Sequence, residues 1–409
     1  MATKRVKTKK DGVPNTTPVD RISTLPDPLI HHILSYVPTI YVVRMSILSR
    51  YWRRVWYSVP ALHFCSTDHP DRFHFRFHRE REEELYEFVI ECLKHRERSM
   101  RYIADSAITR FKLRIDCYVD NPAIDNLSIF SIWRSVEELD LRMRPKFFEN
   151  YYCLPEAVLN ARSLTVLKLN YVSFDGSHSI SLPSLTSLSL MYVKMNDEAV
   201  LHNLLLGCPA LEKFVFKYYY GLYNPKISSS SLKLLEIENN YETLEVETIN
   251  LESFEFHSEC KDIINLSACK AITSLSLFDS MLDDESLEDL VYGFPLLESL
   301  TLYHCFDVKN IKICGQHLKS ISLEKYYDPG QEYPEFTIEK PNLVSFHFKG
   351  DIQCGISMKE LDNILNVHII IEGPFEGYER DWYINLITFL SKINFSGNTT
   401  VSLHVYSEE

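Results

Sequence analysis

The sequence predicts an α/β fold in which a small N-terminal unit of three helices precedes a solenoid of parallel strands, with a C-terminal helix and strand as a cap. Two observations predict this architecture. Residues 25–56 hold more apolar side chains than three short helices can bury among themselves. From Ile108 onward an apolar template recurs at a nearly regular spacing, which is typical of stacked repeats.

The N-terminal residues 1–19 are rich in Lys and Arg, have little that could be buried, and are expected to be disordered. They could act as a nuclear import signal or form a solvated tail, and the sequence leaves both open. Charge is uneven along the chain. Residues 1–110 have 19 Lys or Arg against 13 Asp or Glu, a net charge of +6. Because the whole chain has a net charge of −13, the remaining residues have a net charge of −19. This asymmetry indicates different partners for the two ends.

The three-helix unit is predicted over residues 20–66. Asp27 is expected to cap the first helix, with Pro28 at its first position, and Pro38 ends it. Thr39 is expected to cap the second helix, and a third begins near Ser49. The apolar faces of these helices are wide, so they predict a small open bundle.

Residues 67–107 are predicted to join the bundle to the repeats. Phenylalanines alternate with polar residues over 70–79, which predicts a strand. Over 80–98 the apolar residues recur at helical spacing, which predicts an amphipathic helix that packs on the first repeat.

The repeat template is one apolar residue, two of any kind, a second apolar residue, one of any kind, and a third apolar residue. It begins twelve times, 19 to 28 residues apart, at Ile108, Val136, Leu164, Leu185, Leu211, Leu232, Leu251, Ile272, Leu297, Leu318, Leu343 and Ile364. These spacings indicate leucine-rich repeats, whose strands stack as a parallel sheet on the concave side of a solenoid. We therefore predict a solenoid over residues 108–376.

The longer repeats leave room for helices on the outer side, and Asn196–Leu206 and Asp283–Tyr292 fit that role. Repeats of 19 to 21 residues are expected to hold only a turn there. Residues 377–409 are predicted to cap the solenoid with a helix over Asp381–Ile393 and a strand around Val401–Val405, because the last repeat would otherwise expose its core.

The N-terminal unit resembles the F-box of plant F-box/LRR proteins. The residues that carry the resemblance are Asp20-Arg21-Ile22-Ser23, Leu25-Pro26, Ile33-Leu34-Ser35, Val37-Pro38, Val43, Leu48-Ser49, Trp52-Arg53, Trp56, Val59-Pro60, Leu62 and Phe64. The segments Cys208–Glu212 and Phe294–Glu298 resemble a Cys-Pro-x-Leu-Glu motif of the same group. The sequence departs from the group at Ile40, where a basic residue usually follows the threonine, and the C-terminal FBD domain of many relatives is not recognisable.

The resemblance implies that the F-box docks on a SKP/ASK-family adaptor, and through it on a cullin, in an SCF ubiquitin ligase. The repeats would then hold a protein substrate for ubiquitination. The residues expected at the adaptor are Leu25, Pro26, Leu29, Ile33, Leu34, Val37, Pro38, Val43, Leu48, Trp52 and Trp56. A set so poor in charge and rich in aliphatic and aromatic side chains is typical of an interface core. Two alternatives stay open: the following strand and helix cover these residues, or the chain is a non-ligase scaffold with a degenerate F-box.

Residues between the template positions face the concave side, where a substrate would bind. In the middle of the array the residues expected to contact it are Glu236, Glu238, Glu255, His257, Phe278 and Tyr303. The net charge of −19 favours a basic protein partner and disfavours nucleic acid. Tyr171, Tyr192 and Tyr218 occupy one position in three consecutive repeats and are expected to form a stacked ladder.

Several other classes of protein are disfavoured. The sequence has no apolar run of about 18 residues and no secretory signal, so we expect neither a membrane span nor export. Its ten cysteines include no CxxC pair, which indicates free, mostly buried thiols in a reducing compartment, the nucleus and/or the cytoplasm. Motifs for phosphate loops, zinc proteases and nucleophile elbows are missing, so no catalysis, metal or cofactor is expected. His31 and His32 are adjacent on a helix and cannot share a metal there.

Overall fold

The computed structural model begins with three short helices, α1 (Asp27–Leu34), α2 (Thr39–Met45) and α3 (Arg50–Ser58). The structure describes residues 21–66, 78–100, 107–118, 136–147, 150–238, 243–258, 263–305, 308–314, 317–325, 334–339, 343–359, 366–372, 380–392 and 398–404. The predicted basic tail and most of the strand predicted over 70–79 lie outside these residues.

The starts of the helices follow from short-range chemistry, with two corrections. Asp27, predicted to cap α1, is instead its first residue, because Pro26 occupies the N-cap position. The side chain of Ser49 accepts a hydrogen bond from the Trp52 amide and so caps α3. Thr39, predicted to cap α2, does not do so, because Pro38 occupies the N-cap position. The Thr39 hydroxyl is buried and instead accepts a hydrogen bond from the His63 amide at 2.7 Å. This hydrogen bond therefore links α2 to the strand that follows α3.

That strand, β1 (Ala61–Cys65), is the first of a 14-stranded parallel sheet. The sheet continues through β2 (Arg110–Tyr118), β3 (Glu138–Pro145), β5 (Val166–Asn170), β7 (Ser187–Met191), β8 (Lys213–Lys217), β10 (Leu234–Glu238) and β12 (Ser253–His257). It ends with β14 (Ser274–Phe278), β15 (Ser299–Tyr303), β17 (Ser320–Glu324), β19 (Ser345–Gly350), β21 (Asn366–Glu372) and β22 (Asn398–His404). The predicted solenoid is confirmed, since the strands lie where the template placed them.

The template residues form the core. For example, Leu167, Leu169, Leu188 and Leu190 are fully buried, while the residues between them on the same strands are not. This alternation follows from the period of two in a strand. No single repeat could bury its own template residues, so the neighbouring repeats supply the cover.

The return segments between the main strands carry the remaining elements. These are β4 (Tyr152–Cys153), α5 (Glu156–Leu159), β6 (Val172–Ser173), α6 (Glu198–Leu206), β9 (Lys226–Ser228), β11 (Thr243–Glu247), β13 (Ile263–Asn265), α7 (Asp284–Gly293), β16 (Asn310–Cys314), β18 (Glu335–Glu339) and β20 (Gly355–Lys359). The two predicted outer helices are confirmed as α6 and α7, which Asp197 and Asp283 cap.

The expectation that the short repeats hold only a turn is wrong. The 19-residue repeat from Leu232 to Leu251 carries β11, which pairs in parallel with β9 and β13. A strand rises about 3.3 Å per residue and a helix 1.5 Å, so a short return segment can span the repeat only in extended form. At the C-terminus, α8 (Arg380–Lys392) and β22 match the predicted cap.

A long helix, α4 (His78–Met100), joins the three helices to the solenoid. Its Arg96 is fully buried; the guanidinium donates hydrogen bonds to the carbonyls of Trp56 and Val59 and lies 5.5 Å from the Trp56 ring centroid. Burial lowers the pKa of Arg96 to about 10, which leaves it charged at neutral pH. These bonds satisfy carbonyls at the end of α3, and cations stabilise helix C-termini. The three helices and the solenoid share one hydrophobic core.

Two candidate interaction surfaces

The first candidate surface is an exposed apolar face on the three-helix unit. Leu29 and Ile33 lie on α1, Tyr36 lies two residues past its end, and the three are 52%, 47% and 73% exposed. Ile47 and Leu48, in the turn between α2 and α3, are 79% and 72% exposed. We call these five residues the apolar face. Scattered apolar residues are common on surfaces, but five such residues within 20 residues of sequence make this unit a candidate interaction site.

The residues predicted to contact an adaptor divide into three groups. Pro26, Leu29, Ile33 and Leu48 are exposed, whereas Leu25, Val37, Pro38 and Val43 are partly buried. Leu34, Trp52 and Trp56 are buried in the chain's own core. The expectation that these last three lie uncovered is therefore wrong, because α3 turns its tryptophans inward and Arg96 covers Trp56. Binding to an adaptor stays a prediction for the exposed members.

Tyr36 and Ile47 are the most exposed aromatic and aliphatic residues of the face, and sequence reasoning missed both. Tyr36 lies three residues beyond Ile33, so helical periodicity extended past the end of α1 would have found it. Ile47 follows α2 in a turn, where periodicity gives no signal.

Polar contacts fix the orientation of α1 against α3. The His31 Nε2 and Ser58 Oγ atoms are 2.9 Å apart, and the Tyr51 hydroxyl donates to Asp27 Oδ1 at 3.0 Å. Burial lowers the pKa of His31, so the ring is held in its neutral form against α3. His31 thus has a structural partner, and the contact keeps the opposite side of α1 facing outward.

The second candidate surface is the concave face of the sheet. Glu238, His257, Phe278 and Tyr303 are consecutive neighbours in the register of β10, β12, β14 and β15. The His257 and Phe278 rings are parallel with centroids 4.1 Å apart, and the Phe278 and Tyr303 centroids are 5.5 Å apart. The structure thus brings four of the six predicted substrate residues together as one partly exposed row, and Glu236 and Glu255 are register partners two positions earlier on β10 and β12.

The carboxylates next to this row already have partners. Lys217 Nζ lies 3.7 Å from Glu236, 3.7 Å from Glu238 and 3.9 Å from Glu255. A second lysine, Lys213, has its Nζ atom 3.1 Å from Glu236. Three carboxylates and two ammonium groups leave a local excess of only one negative charge. The attraction to a basic partner is therefore weaker here than the net charge of the array predicts.

His257 Nε2 also lies 2.9 Å from Glu255 Oε1. The hydrogen bond to His257 holds the pKa of Glu255 below its ordinary value, and Lys217 and Lys213 act in the same direction. The row is therefore a set of rings and ion pairs that satisfy one another.

The predicted tyrosine ladder is confirmed. The Tyr171 and Tyr192 rings stack with centroids 4.6 Å apart, and Tyr192 and Tyr218 with centroids 4.7 Å apart. All three residues have φ between 53° and 59°, the left-handed region that non-glycine residues rarely adopt. Each tyrosine ends its strand, and its amide donates to a carbonyl of the next strand. Tyr218 also donates a hydrogen bond from its hydroxyl to Glu238.

The described cysteines are free thiols, as predicted, and five of the eight are buried: Cys92, Cys208, Cys269, Cys305 and Cys354. Burial raises the pKa of Cys92, Cys208, Cys305 and Cys354 to about 12, so these thiols are unreactive at neutral pH. Across the described ranges, no three His, Cys, Asp or Glu side chains are arranged to hold a metal ion. Within the same part of the chain, no helix has the length and hydropathy needed to cross a membrane.

Comparison with known proteins places both surfaces in context. Residues 22–64 match the F-box domain, and residues 129–266 match the family described as "FBD-associated F-box protein At5g56370, LRR repeats". F-box/FBD/LRR-repeat protein At2g26030 of Arabidopsis thaliana is 29% identical over 339 residues, which cover 75% of this chain and 71% of the relative. F-box/FBD/LRR-repeat protein At1g13780 of the same plant is 24% identical and covers 89% and 87%. F-box protein At5g03100, also from Arabidopsis, is 26% identical and covers 75% and 92%.

Proposed function

Because this chain is a plant F-box/LRR protein, we propose that it is the substrate-recognition subunit of an SCF-type ubiquitin ligase. Its F-box docks on a SKP/ASK-family adaptor and through it on a cullin, and its repeats bind a protein substrate for ubiquitination. In this role the chain performs no catalysis. It raises the effective concentration of the substrate near the catalytic subunits of the ligase.

The observation that carries the proposal is the exposed apolar face of the F-box. Each of its five side chains contributes about 1.5–3 kcal/mol when it is fully buried. Leaving them in water is costly, and a partner whose own surface is apolar at the centre would recover that free energy. Within the described part of the F-box, the chain itself covers Trp52 and Trp56 but leaves Ile47 and Leu48 open.

The test is the affinity of the purified chain for a purified SKP-type adaptor, measured by isothermal titration calorimetry. We expect the double variant Ile47→Asp/Leu48→Asp to bind about 100-fold more weakly, because two apolar anchors become carboxylates whose desolvation is unfavourable. The control is Ile249→Asp, an aliphatic position in the solenoid that is also largely exposed. It should bind the adaptor like the wild type.

The competing function is a non-ligase scaffold with a degenerate F-box. A wild-type chain that is folded yet does not bind the adaptor would favour the scaffold and overturn the ligase proposal. The departure at Ile40 makes this comparison informative, since that position usually carries a basic residue in the resembling group.

We also propose that the protein works in the nucleus, the cytoplasm or both. A fluorescent fusion of the full chain in plant cells should accumulate in these compartments. Replacing Lys4, Arg5, Lys7, Lys9 and Lys10 by serine separates the two readings of the tail: an import signal predicts loss of nuclear fluorescence, and a solvated tail predicts no change.

A further inference from the structure

The first three repeats of the concave face differ in charge from the rest of the solenoid. The outward side chains of β2, β3 and β5 include six cations, which we call the basic face: Arg110, Lys112, Arg114, Arg142, Arg144 and Lys168. The carboxylates on the same strands and side are Asp116, Glu138 and Asp140. Six cations against three carboxylates leave an excess of three positive charges, in a chain whose net charge is −13.

The repeat itself does not require these charges. At the register position of Arg110, the later strands β14, β15, β17 and β19 place Ser274, Ser299, Ser320 and Ser345. At the register position of Lys112, β14, β15 and β17 place Ser276, Thr301 and Ser322. A small hydroxyl side chain is therefore sufficient for the solenoid to stack. The large cations of the first repeats must have another role.

The cations of the basic face have unused binding capacity. Lys112 and Arg114 share one carboxylate, Asp140, at 3.2 and 3.8 Å. Arg110 and Lys168 have no ion-pair partner among the described residues. This arrangement contrasts with Lys217, which three carboxylates surround.

Two guanidinium donors of the basic face have no acceptor within the described residues. The Nε–H groups of Arg114 and Arg142, neighbours in the register of β2 and β3, are enclosed by the protein and donate no hydrogen bond within the described residues. The nearest carboxylate oxygen to Arg142 Nε belongs to Asp116 and is 3.9 Å away, too far for a hydrogen bond. Enclosed guanidinium donors normally have acceptors.

A cavity of about 360 Å³ lies on the basic face, between the strands and the F-box. Three cations, Arg110, Lys112 and Lys168, and two carboxylates, Glu138 and Asp140, line it on the strand side. Ser35 and Tyr36 line it from the end of α1. Cations on alternate positions of a strand are about 7 Å apart, and β2 and β5 are about 10 Å apart, so one small anion cannot reach them all. An extended peptide repeats its side chains at a comparable distance.

We propose that the basic face binds an anionic segment of a protein partner, with carboxylate or phosphate groups at alternate positions. Arginine guanidinium groups bind both anions in bidentate geometry, and lysines add point charges. A long nucleic acid fits less well, because the rest of the solenoid carries an excess of carboxylates that would repel phosphates beyond the cavity. Under the proposed ligase function, on which this inference rests, the segment would belong to the substrate.

The test uses labelled decapeptides in which glycine alternates with glutamate, phosphoserine or glutamine, titrated into the full chain with fluorescence anisotropy as the readout. At about 0.15 M salt the net negative charge of the chain is screened beyond about 8 Å, while contacts in the cavity persist. We expect the glutamate or the phosphoserine peptide to bind at least about tenfold more tightly than the glutamine peptide. Binding of phosphoserine alone would identify phosphate as the recognised group, and binding of both would identify negative charge in general.

Variants make the test specific to the cavity. Arg110→Ser/Lys168→Ser introduces the serine of the later repeats and should weaken anionic peptide binding about tenfold or more. Glu138→Ser, which removes a carboxylate from the lining of the cavity, should strengthen it about threefold or more. Lys194→Ser/Lys270→Ser, an equal change of charge at two exposed positions outside the basic face, is the matched control and should have no effect.

Equal binding of the glutamine peptide, no response to the double variant, or weaker binding by Glu138→Ser would each overturn the inference. Tighter binding of a ten-nucleotide single-stranded DNA than of either anionic peptide would overturn the choice of partner. Adaptor binding is measured on the same preparation. If the adaptor binds and the anionic peptides do not, only this inference fails, whereas failure of the adaptor to bind removes the ligase proposal itself.

Discussion

The two candidate surfaces differ in whether their side chains have partners within the chain. The apolar face of the F-box leaves Leu29, Ile33 and Ile47 about half exposed or more. The middle of the concave face satisfies its own groups, through Lys217 among three carboxylates and through stacked rings. Exposed apolar side chains gain free energy from any partner that buries them. Polar groups that already have partners within the chain must give up those contacts before they can bind another protein. The first surface therefore favours a constant partner and the second a selective one.

The largest effect is expected inside the F-box, where burial separates the two tryptophans from the apolar face. Trp56→Ala should lower the free energy of unfolding by about 3–5 kcal/mol, because a buried ring and its contact with Arg96 are lost. Tyr36→Ala, at an exposed position, should change it by less than about 0.5 kcal/mol. Urea unfolding measures both. Similar losses for the two variants would contradict the division between core and surface.

The next effect concerns α1, whose outward side belongs to the apolar face. Leu29→Ala/Ile33→Ala should raise the dissociation constant for the adaptor by about 10- to 100-fold, since two central apolar contacts are truncated. The matched control is Ile384→Ala/Ile387→Ala on α8, which removes two exposed aliphatic side chains at the other end of the chain. If the control weakens adaptor binding equally, the F-box face is not the docking site.

A smaller effect is expected at Lys217, where the concave face satisfies itself. Lys217→Met leaves three carboxylates close together and should cost about 1–2 kcal/mol of stability at neutral pH. The pKa of Glu255 is held below its ordinary value of 4.5, first by His257 and then by the lysines. The stability from this ionised carboxylate is present above pH 4.5 and is lost as the pH falls through the lowered pKa.

The difference in stability between the wild type and Lys217→Met should therefore be largest near pH 7 and should decrease as the pH falls. Thermal unfolding from pH 7 to pH 4 measures it, and Lys270→Met serves as the control because that lysine has no carboxylate partner within the described residues. A difference that stays constant with pH would show that Lys217 acts through packing.

The smallest effect is expected at the tyrosine ladder. Tyr192→Leu removes the central ring and should cost about 0.5–1.5 kcal/mol, the usual contribution of an aromatic pair beyond its area. Tyr223→Leu, at a tyrosine that is largely exposed, should fall within about 0.5 kcal/mol of the wild type. Near-ultraviolet circular dichroism should change for the first variant only.

Much of the fold could be predicted because the template positions fix the register in which neighbouring strands pair. Once the template was aligned at Ile108 and Val136, the pairing of β2 with β3 and the burial of Phe111 and Leu139 followed. The ladder of Tyr171, Tyr192 and Tyr218 followed from the same alignment. The short strand β11 could not be predicted this way, because return segments share no template.

The functional surfaces were harder to predict. An apolar stripe on a short helix does not reveal whether a partner or the chain itself covers it, and α4 covers Trp56 through Arg96, which lies 40 residues further along the chain. The ion pairs of Lys217 were within reach of the alignment, since Lys217 and Glu238 share one register position. The net charge of the whole array does not reveal these pairs, whereas the charges along one register row do.

Because β1 is the first strand of the sheet, the number of repeats sets the distance between the F-box and each residue of the concave face. The F-box ends in β1, the first strand of the sheet, and Arg96 donates hydrogen bonds to the carbonyls of Trp56 and Val59 at the C-terminal end of α3. Each further repeat then adds one strand spacing of about 4.8 Å between the docking end and a residue of the concave face. In a ligase, deleting one repeat would shift a bound substrate by that step, and so would change which of its lysines come within reach of the ubiquitin donor.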